Sequence, residues 1–421
     1  MFKHLKKYSI TDTLFLVILL TLPLAEHWNS KALLLFLIYA GYQLSKEFNI
    51  IFPKIGWLYI SIFSFSALSI LWTSDISKTS EAILRLLPLL LFTLTFGIFL
   101  KIKSHLNILR ITAIFYLFYL FILLIIGAYH SIETNSTHHF FYHELTAPLA
   151  ASAVYIALLF AILYFFILNN ILFSESKKRK LDIFLAVSLF GAQFLLSSKM
   201  ILSVSLIITV IFFSIYLREK LAFGKKIMVI IGLAISLIVL ISISSFSIKR
   251  FKDISNYKKV SEAFSLDYFG PDYYFNGLTL RLFQIRCFIE IEQESSFNSF
   301  LGTGFNASQS DLNRKYTSYD LYRGNTAKEE PAGYFLYNFH NQYIQTLIEL
   351  GIFGFLILVL LVYYFLIFPI RTKNLLLFGI TFLFIAFAIT ESFLFRQKGI
   401  VSFILFTLFA ISMTKSPESR A

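Results

Sequence analysis

Long apolar runs alternate with short polar connections along most of the chain, and twelve such runs stand out. They lie at residues 10–25, 31–45, 55–72, 83–100, 107–128, 146–172, 182–197, 200–217, 227–247, 344–370, 374–391 and 399–414. Backbone groups in lipid must be hydrogen-bonded within the protein, and a helix needs roughly 20 apolar residues to cross a bilayer. The pattern therefore predicts an all-α polytopic membrane protein with about twelve transmembrane helices.

One polar segment is long, and it precedes the last three apolar runs. It covers residues 248–339 and is rich in tyrosine, asparagine, glycine and charged residues. No run resembles a flexible linker to a second soluble domain. We therefore predict a single integral membrane domain over residues 1–421, with residues 248–339 inserted between spans nine and ten as a large, partly helical loop.

The composition agrees with a membrane protein and narrows its chemistry. Of the 421 residues, 57% are hydrophobic and only 14% are charged, whereas about 25% of the residues in a soluble domain are charged. The single cysteine excludes an intrachain disulfide and a thiolate metal cluster. The sequence contains no Walker A motif, no dinucleotide-binding glycine fingerprint and no Gly-x-Ser-x-Gly elbow.

The net charge of +13 is distributed unevenly between the two sets of loops. The short loops on the side of the termini hold 20 lysine and arginine residues, and the opposite short loops hold 6. Positive residues in short loops favour the cytoplasm. Both termini are therefore predicted to be cytoplasmic, and residues 248–339 are predicted to lie on the outer side.

This topology gathers ionisable residues from distant parts of the sequence at the outer edge of the membrane. They are Lys199, Arg281, Arg286, His340, Glu391 and Arg396. His340 joins the long polar segment to an apolar run and is followed by Asn341 and Gln342. A histidine in this position can act as a general base near neutral pH.

The surroundings of Arg281 indicate a helix near the membrane surface. Apolar residues recur at spacings of three, four and seven and predict an amphipathic helix over residues 278–291. They are Leu278, Leu282, Ile285, Phe288 and Ile289. Arginine binds phosphate with two parallel hydrogen bonds and lysine binds it as a point charge. Cations near the membrane surface therefore suggest an anionic, lipid-linked ligand such as a diphosphate.

A histidine-rich stretch occupies the predicted outer loop at residues 129–145. If the stretch were helical, His139, His143 and Glu144 would have the spacing of zinc ligands. No second cluster of ligands accompanies them. We interpret the stretch as an interfacial loop and expect no metal.

The ordered set of short motifs resembles the O-antigen ligase family, within the wider group of O-antigen ligases and polymerases. The segment Leu71-Trp72-Thr73-Ser74-Asp75 is similar to the family's Trp-Ser-x-Asp pattern. The helix with Arg281 and the turn Gly302-Thr303-Gly304 resemble its arginine-bearing helix and Gly-x-Gly turn. His340-Asn341, with residues 351–354 after it, is similar to its His-Asn and Gly-x-x-Gly signature. The sequence departs from the family at Lys199, where arginine is usual.

The resemblance implies a GT-C-like fold and an enzyme that works without cofactors. The implied reaction transfers a glycan from undecaprenyl diphosphate to the lipid A–core oligosaccharide on the periplasmic face of the bacterial inner membrane. Carried over by position, Lys199 and Arg281 would bind the donor diphosphate and His340 would act on the acceptor. The expected substrate-binding residues around them are Asn341, Arg286, Gln342, Glu391 and Arg396.

Three other functions remain open from the sequence. A polymerase of the same superfamily would join repeat units on the lipid carrier, and a protein O-oligosaccharyltransferase would use a protein acceptor. A transporter for lipid-linked sugars would place polar residues through the middle of the membrane. The polar groups of this chain lie mostly at the outer edge, which favours an enzyme.

Overall fold

The structure, a computed structural model, describes residues 8–46, 50–149, 151–174, 178–220, 257–294, 296–324 and 333–415. Within these ranges the regular elements are helices, and no strand occurs among them. The α-helices are α1 (Ile10–Thr21), α2 (Glu26–Lys46), α3 (Gly56–Leu68), α4 (Ile76–Leu94), α5 (Phe96–Phe99), α6 (His105–Thr134), α7 (Tyr142–Thr146), α8 (Ala153–Phe173), α9 (Arg179–Leu195), α10 (Lys199–Lys220), α11 (Tyr257–Ser265), α12 (Gly277–Glu292), α13 (Gln309–Ser318), α14 (Gln342–Arg371), α15 (Leu375–Thr390) and α16 (Gln397–Lys415).

Helices occupy eleven of the twelve apolar runs. The remaining run, residues 227–247, lies outside the described residues. In the described ranges, four helices are long and apolar enough to cross a membrane, namely α6, α8, α10 and α14. Shorter apolar helices include α1, α15 and most of α16. The all-helical membrane class is confirmed, whereas the count of twelve spans and the GT-C-like fold stay predictions.

Two apolar helices form the centre of the bundle. In α8 every residue from Ala153 to Leu168 is buried, and in α16 the same holds from Ile400 to Ser412. A helix that is apolar on all sides lies in lipid or inside a protein, and the burial of these two helices places them inside the bundle. The helices α6, α9, α10 and α15 pack around α8, while α4 and α15 pack against α16.

Residues between 257 and 339 form a smaller unit with its own aromatic core. The ring of Phe283 lies 5.0 Å from the ring centroids of both Phe269 and Phe275. The fully buried Tyr316 stacks on the same ring. We call the described residues 257–294, 296–324 and 333–339 the cap subdomain.

The helix predicted around Arg281 is present as α12, and α11 and α13 pack against it. The predicted apolar stripe lies only partly in the aromatic core, because Phe288 is buried there whereas Ile289 is exposed. Leu280 and Phe283, which lie outside that stripe, are buried in the same core. Spacing alone does not show which part of an apolar surface a neighbouring helix will cover.

The cap subdomain enters the bundle where α14 is broken. Gly351 has φ 61° and ψ −165°, which interrupts the helix after its first turns. Residues 298–304 lie in this break, and the N–H of Ile352 donates to the carbonyl of Ser299 at 2.9 Å. A Cβ on Gly351 would lie 2.2 Å from the Phe300 carbonyl oxygen, so glycine is required by both space and backbone angle.

On the other side of the break, the cap subdomain donates hydrogen bonds to α14 instead of accepting them. Thr303 and Gly304 donate their N–H groups at 2.9 Å to the carbonyls of Ile348 and Glu349. These carbonyls belong to the last turn before the break, so the cap subdomain supplies partners that an unbroken helix would supply itself. Irregular backbone inside a helical membrane protein is tolerated when other protein groups satisfy its hydrogen bonds in this way.

The loop after α3 fixes the same cap segment from a third direction. The indole N–H of Trp72 donates to the carbonyl of Leu301 at 3.0 Å, and the backbone N–H of Ser74 donates to that of Thr303 at 3.3 Å. Three of the short motifs in the sequence are thus brought together as one joint. Their hydrogen bonds connect the cap subdomain to the bundle.

At the other end of the bundle, α6, α8 and α9 meet around a buried ion pair. Arg110 donates from Nε and Nη2 to the two carboxylate oxygens of Asp182 at 2.6 and 2.7 Å. Asn170 adds a hydrogen bond to the same carboxylate at 2.9 Å. Both charged residues are buried. We call Arg110, Asp182 and Asn170 the closed cluster.

Candidate active site

His340 lies in a rigid turn between the cap subdomain and α14. Its φ of 45° is in the left-handed region, which costs a residue other than glycine about 1–3 kcal/mol and is common at functional sites. Its N–H donates to Asn338 Oδ1 at 3.0 Å, and Gln284 donates to the Asn338 carbonyl at 2.6 Å. The imidazole packs beside the Tyr337 ring. The turn therefore holds the imidazole in one place.

Asn341 ends this turn and begins α14. Its side-chain oxygen accepts hydrogen bonds from the N–H groups of Tyr343 and Ile344 at 3.0 and 3.1 Å, which is the arrangement of a helix N-cap. The sequence predicts a contact with substrate for Asn341. The structure gives its oxygen this capping role, while its amide nitrogen takes no part in the cap.

A carboxylate from the loop after α15 faces the imidazole. Oε2 of Glu391 lies 3.5 Å from Nδ1 of His340, and among the described residues this buried Nδ1 forms no hydrogen bond. Only 9% of Glu391 is exposed. The contact joins residues 51 positions apart in the sequence, and a shift of a few tenths of an ångström would close it into a charge-assisted hydrogen bond.

Arg281 fixes Glu391 from the side of the cap subdomain. Its Nη2 donates to Oε1 of Glu391 at 3.1 Å and to the carbonyl of Thr390 at 2.7 Å, while Nε donates to the same carbonyl at 3.0 Å. Nη1 donates to the carbonyl of Gly277 at 2.6 Å. Four of the five N–H groups of a guanidinium are accounted for by these bonds, which leaves one on Nη1.

The charges around Glu391 favour its ionised form. Burial alone raises the pKa of this carboxyl, but the facing His340 and the charges of Arg281 and Arg396 outweigh the burial. The pKa of Glu391 is consequently lowered from its ordinary value of 4.5. A carboxylate held in this way can stabilise a positive charge on the neighbouring imidazole. We call His340, Glu391 and Arg281 the open cluster.

Two glutamines on the first turns of α14 connect the turn that contains His340 to the loop that contains Glu391. Gln342 accepts a hydrogen bond from the N–H of Leu394 at 2.8 Å and donates to Thr346 at 3.0 Å. Gln345 accepts from the N–H of Phe339 at 3.3 Å and from the hydroxyl of Ser392 at 3.4 Å. The two amides therefore tie the turn before α14 to the loop that holds Glu391.

Glu349 and Ser308 complete this buried network, and the sequence reasoning missed both of them. Ser308 donates to Oε1 of Glu349 at 2.9 Å, and Gln345 donates to Ser308 at 3.0 Å and to Glu349. A signal was present, because Gln342, Gln345, Thr346 and Glu349 recur at spacings of three and four inside an apolar run. Polar residues in such a run are rare and face the protein interior.

Lys199 is brought to the same end of the bundle by the packing of α10 against α15. The Cα of Gly379 in α15 faces the side chains of Ile208 and Phe212 in α10. From this contact, about 9–13 residues of α10 lead back to Lys199 and 11 residues of α15 lead on to Thr390. These stretches are each roughly 14–20 Å long at 1.5 Å per residue. The start of α10 therefore lies at the level of the open cluster.

The other two predicted arginines occupy different surroundings. Arg396 is exposed in the same loop as Glu391, and its charge acts on that carboxyl. Arg286 faces the interior of the cap subdomain instead. It donates to Glu290 at 2.8 Å and to the carbonyl of Leu266 at 2.7 Å, and it lies over the Tyr319 ring. These contacts give Arg286 a structural role.

Among the described residues, no group of three or more histidine, cysteine, aspartate or glutamate side chains is placed to hold a metal ion. His139 and Glu144 from the histidine-rich stretch approach each other, with 3.6 Å between Nδ1 and Oε2. They lie in short helical turns between α6 and α8.

The described residues thus define a helical membrane protein with a histidine, a carboxylate and an arginine clustered under a cap subdomain. Residues 183–359 match the family model described as O-antigen ligase. The match confirms the resemblance seen in the sequence and supports the O-antigen ligase family, with a function of the O-antigen ligase or polymerase type. No curated protein matches the chain.

The matched range includes only part of the candidate site. It includes Lys199, Arg281, His340 and the break at Gly351, but it ends before Glu391 and Arg396. The contact between His340 and Glu391 is therefore an observation of the structure alone.

Proposed function

We propose that the protein is an O-antigen ligase that transfers polysaccharide from undecaprenyl diphosphate to the lipid A–core oligosaccharide. The transfer takes place on the periplasmic face of the inner membrane, with both termini of the chain in the cytoplasm. The observation that carries the proposal is the buried carboxylate of Glu391 facing Nδ1 of His340, in a chain that contains an O-antigen ligase domain.

The acceptor side of the reaction requires a base. A hydroxyl of the acceptor sugar attacks the anomeric carbon of the donor and must lose its proton as the new C–O bond forms. We assign the proton of neutral His340 to Nδ1, which faces Glu391, so that Nε2 is free to accept the proton from the hydroxyl. Glu391 then stabilises the imidazolium through its negative charge, as the carboxylate does in other histidine–carboxylate pairs.

The donor side of the reaction requires positive charge. The bond between the anomeric carbon and the diphosphate breaks, its electron pair leaves with the diphosphate, and the anomeric configuration is inverted by attack from the opposite side. We propose that Lys199, Arg281 and Arg396 stabilise the leaving diphosphate without a metal ion. Loss of one preorganised electrostatic contact typically costs about 10²–10³ in rate.

Arg281 would serve both sides of the reaction. Its hydrogen bonds to Glu391 and Thr390 support a positioning role, and its remaining N–H and its charge support an interaction with phosphate. Lysine at position 199 keeps the charge that arginine would provide but binds phosphate only as a point charge. We therefore expect Lys199→Arg to remain active and Lys199→Ala to lose most of its activity.

Deletion of the gene, followed by analysis of the lipid-linked glycans, tests the proposal. We expect long glycan chains to accumulate on undecaprenyl diphosphate while the lipid A–core remains unsubstituted, and we expect the wild-type gene to reverse both effects. Accumulation of single repeat units would instead indicate a polymerase. Unchanged glycolipids would exclude both activities and a transporter for these lipid-linked sugars, and would leave an enzyme that modifies a protein.

A further inference from the structure

The histidine-rich stretch between α6 and α8 surrounds a cleft that takes no part in the proposed reaction. The cleft has a volume of 490 Å³, within the range of about 300–1,000 Å³ that is usual for ligand sites. Its walls present two hydroxyls, three imidazoles, one phenyl ring, one phenol and one carboxylate. We call this cavity the imidazole cleft.

The polar groups of the imidazole cleft are held in place by the fold. The hydroxyl of Thr134 and Nε2 of His139 form a hydrogen bond of 2.9 Å, and the ring of Tyr142 lies 3.9 Å from that of His143. Tyr142 has φ 53°, a strained value for a residue with a side chain. The carbonyl of His139 lies so close to α6 that a Cβ on Gly127 would be 2.8 Å away. The stretch is thus seated firmly on α6.

The cleft adjoins the open cluster through the first turn of α8. The N–H of Ala153 donates to Nδ1 of His143 at 3.4 Å, which joins the wall of the cleft to the start of α8. Two residues further on, the ring of Tyr155 lies 5.3 Å from that of Phe387. The carbonyl of Phe387 accepts the N–H of Glu391 at 2.9 Å. The cleft and the open cluster therefore lie at the same end of the bundle, a few side chains apart.

The chemistry of the walls selects a neutral, hydroxyl-rich ligand. Among the described residues, the walls of the cleft include Glu144 but no lysine or arginine, so a phosphate would be repelled at neutral pH. Hydroxyl and imidazole groups donate and accept hydrogen bonds and a carboxylate accepts them, which matches the hydroxyls of a sugar that both donate and accept. Aromatic rings beside them offer apolar faces to the C–H faces of a sugar ring.

We propose that the imidazole cleft is a binding subsite for the sugar chain of one of the two substrates. The inference rests on the proposed function, because that function brings a glycan to this end of the bundle. The subsite would hold a sugar residue next to the one that reacts. The walls do not distinguish a donor glycan from an acceptor oligosaccharide, so the experiment must separate the two sources.

Binding of lipid-free sugars to the full-length protein in nanodiscs tests this subsite without any transfer reaction. The two probes are the lipid-free core oligosaccharide and the lipid-free O-antigen repeat unit, each observed by saturation-transfer NMR. We expect one probe to bind the wild-type protein and the double variant His139→Gln/Glu144→Gln to weaken it, by about tenfold for each hydrogen bond lost. The core oligosaccharide identifies an acceptor subsite, and the repeat unit identifies a donor subsite.

Three further variants make the outcome decisive. Thr134→Trp fills the cleft and is expected to abolish binding, even if the double variant is compensated by neighbouring groups. His27→Gln and Glu292→Gln change exposed residues elsewhere and are expected to bind normally. Equal binding by the wild type, the double variant and Thr134→Trp would overturn the proposal. The proposal would also be overturned if neither of the two probes bound to the wild type. A protein that binds sugar in the cleft but transfers none would refute only the ligase function.

Discussion

The closed cluster and the open cluster contain the same type of ion pair at opposite ends of the bundle. In the closed cluster, Arg110 donates hydrogen bonds to both carboxylate oxygens of Asp182, and Asn170 donates a further one. In the open cluster, Arg281 reaches one oxygen of Glu391, and the other oxygen faces a histidine nitrogen at 3.5 Å. Both oxygens of Asp182 accept hydrogen bonds from the protein, whereas Oε2 of Glu391 faces the imidazole without a hydrogen bond from Nδ1.

The difference indicates how the same residue types stabilise the fold in one place and, as we propose, take part in chemistry in another. A buried charge that is fully paired fixes the helices around it, and removal of one partner is costly. A pair that leaves one group under-bonded stores the capacity to take up a proton or a substrate. Charge alone does not separate the two cases, but the hydrogen bonds to the carboxylates do, since Asp182 accepts at least three and Glu391 accepts one from Arg281.

The largest expected effect is on the histidine of the open cluster. Replacement of His340 by alanine removes the proposed base and should lower the transfer rate by about 10²–10⁴-fold, the usual contribution of general base catalysis. Transfer by purified protein from lipid-linked glycan to lipid A–core measures the effect. His27→Ala, an exposed histidine at the start of α2, is the matched control and should retain full activity. Normal transfer by His340→Ala would exclude the assignment.

The closed cluster should respond in stability instead. Arg110→Ala leaves the Asp182 carboxylate buried without its partner, and we expect a loss of about 3–5 kcal/mol in the free energy of unfolding. The double variant Arg110→Met/Asp182→Leu removes both charges and should recover most of that loss. Thermal unfolding in detergent provides the measurement. An Arg110→Ala protein that is stable but inactive would contradict the contrast between the clusters.

Glu391→Gln should change the rate and its pH dependence while the fold is retained. We expect a decrease of about 10–100-fold in kcat, as for other carboxylates that orient a histidine. The folded-state pKa of Glu391 is lowered, so its contribution to stability is present above the ordinary value of 4.5 and is lost as the pH falls through the folded-state pKa. Wild-type activity should decline in the same direction.

The pH–rate profile distinguishes this role from simple binding of substrate. The glutamine variant has no carboxyl to protonate, so its profile should lack the acidic decline that Glu391 causes in the wild type. Arg281→Lys keeps the positive charge but loses the two-pronged contact with Thr390, and it should lower kcat as well. An unchanged acidic decline in Glu391→Gln would assign the titration to another group.

The smallest expected effect concerns an exposed ion pair of the cap subdomain. Arg314 contacts both oxygens of Glu294 at 2.8 and 2.6 Å and holds the pKa of that carboxyl at about 2. Because solvent screens the pair, Arg314→Ala should cost no more than about 1 kcal/mol. The loss should vanish in salt or as the pH falls toward 2, since protonated Glu294 no longer attracts the arginine. A larger loss of stability that does not depend on salt would contradict the expectation that solvent weakens this ion pair.

The sequence predicts the helices well, because the length of an apolar run is a local pattern. The charges of the loops predict that Lys199, Arg281 and His340 lie toward one edge of the membrane. The sequence does not predict which oxygen faces which nitrogen. The contact between Glu391 and His340 depends on how α15 ends beside the cap subdomain, and the structural role of Arg286 depends on the packing of Tyr319 and Glu290.

The break in α14 has a consequence for the order in which the protein is assembled. A chain is synthesised from its N-terminus, so residues 298–304 are made before the helix that they complete. The helix can reach its final bent form only after these residues have arrived at its surface, because Ile352 and the carbonyls of Ile348 and Glu349 find their partners there. We expect α14, α15 and α16 to reach their final packing last. We expect a chain without its cap subdomain to remain an incompletely folded membrane protein.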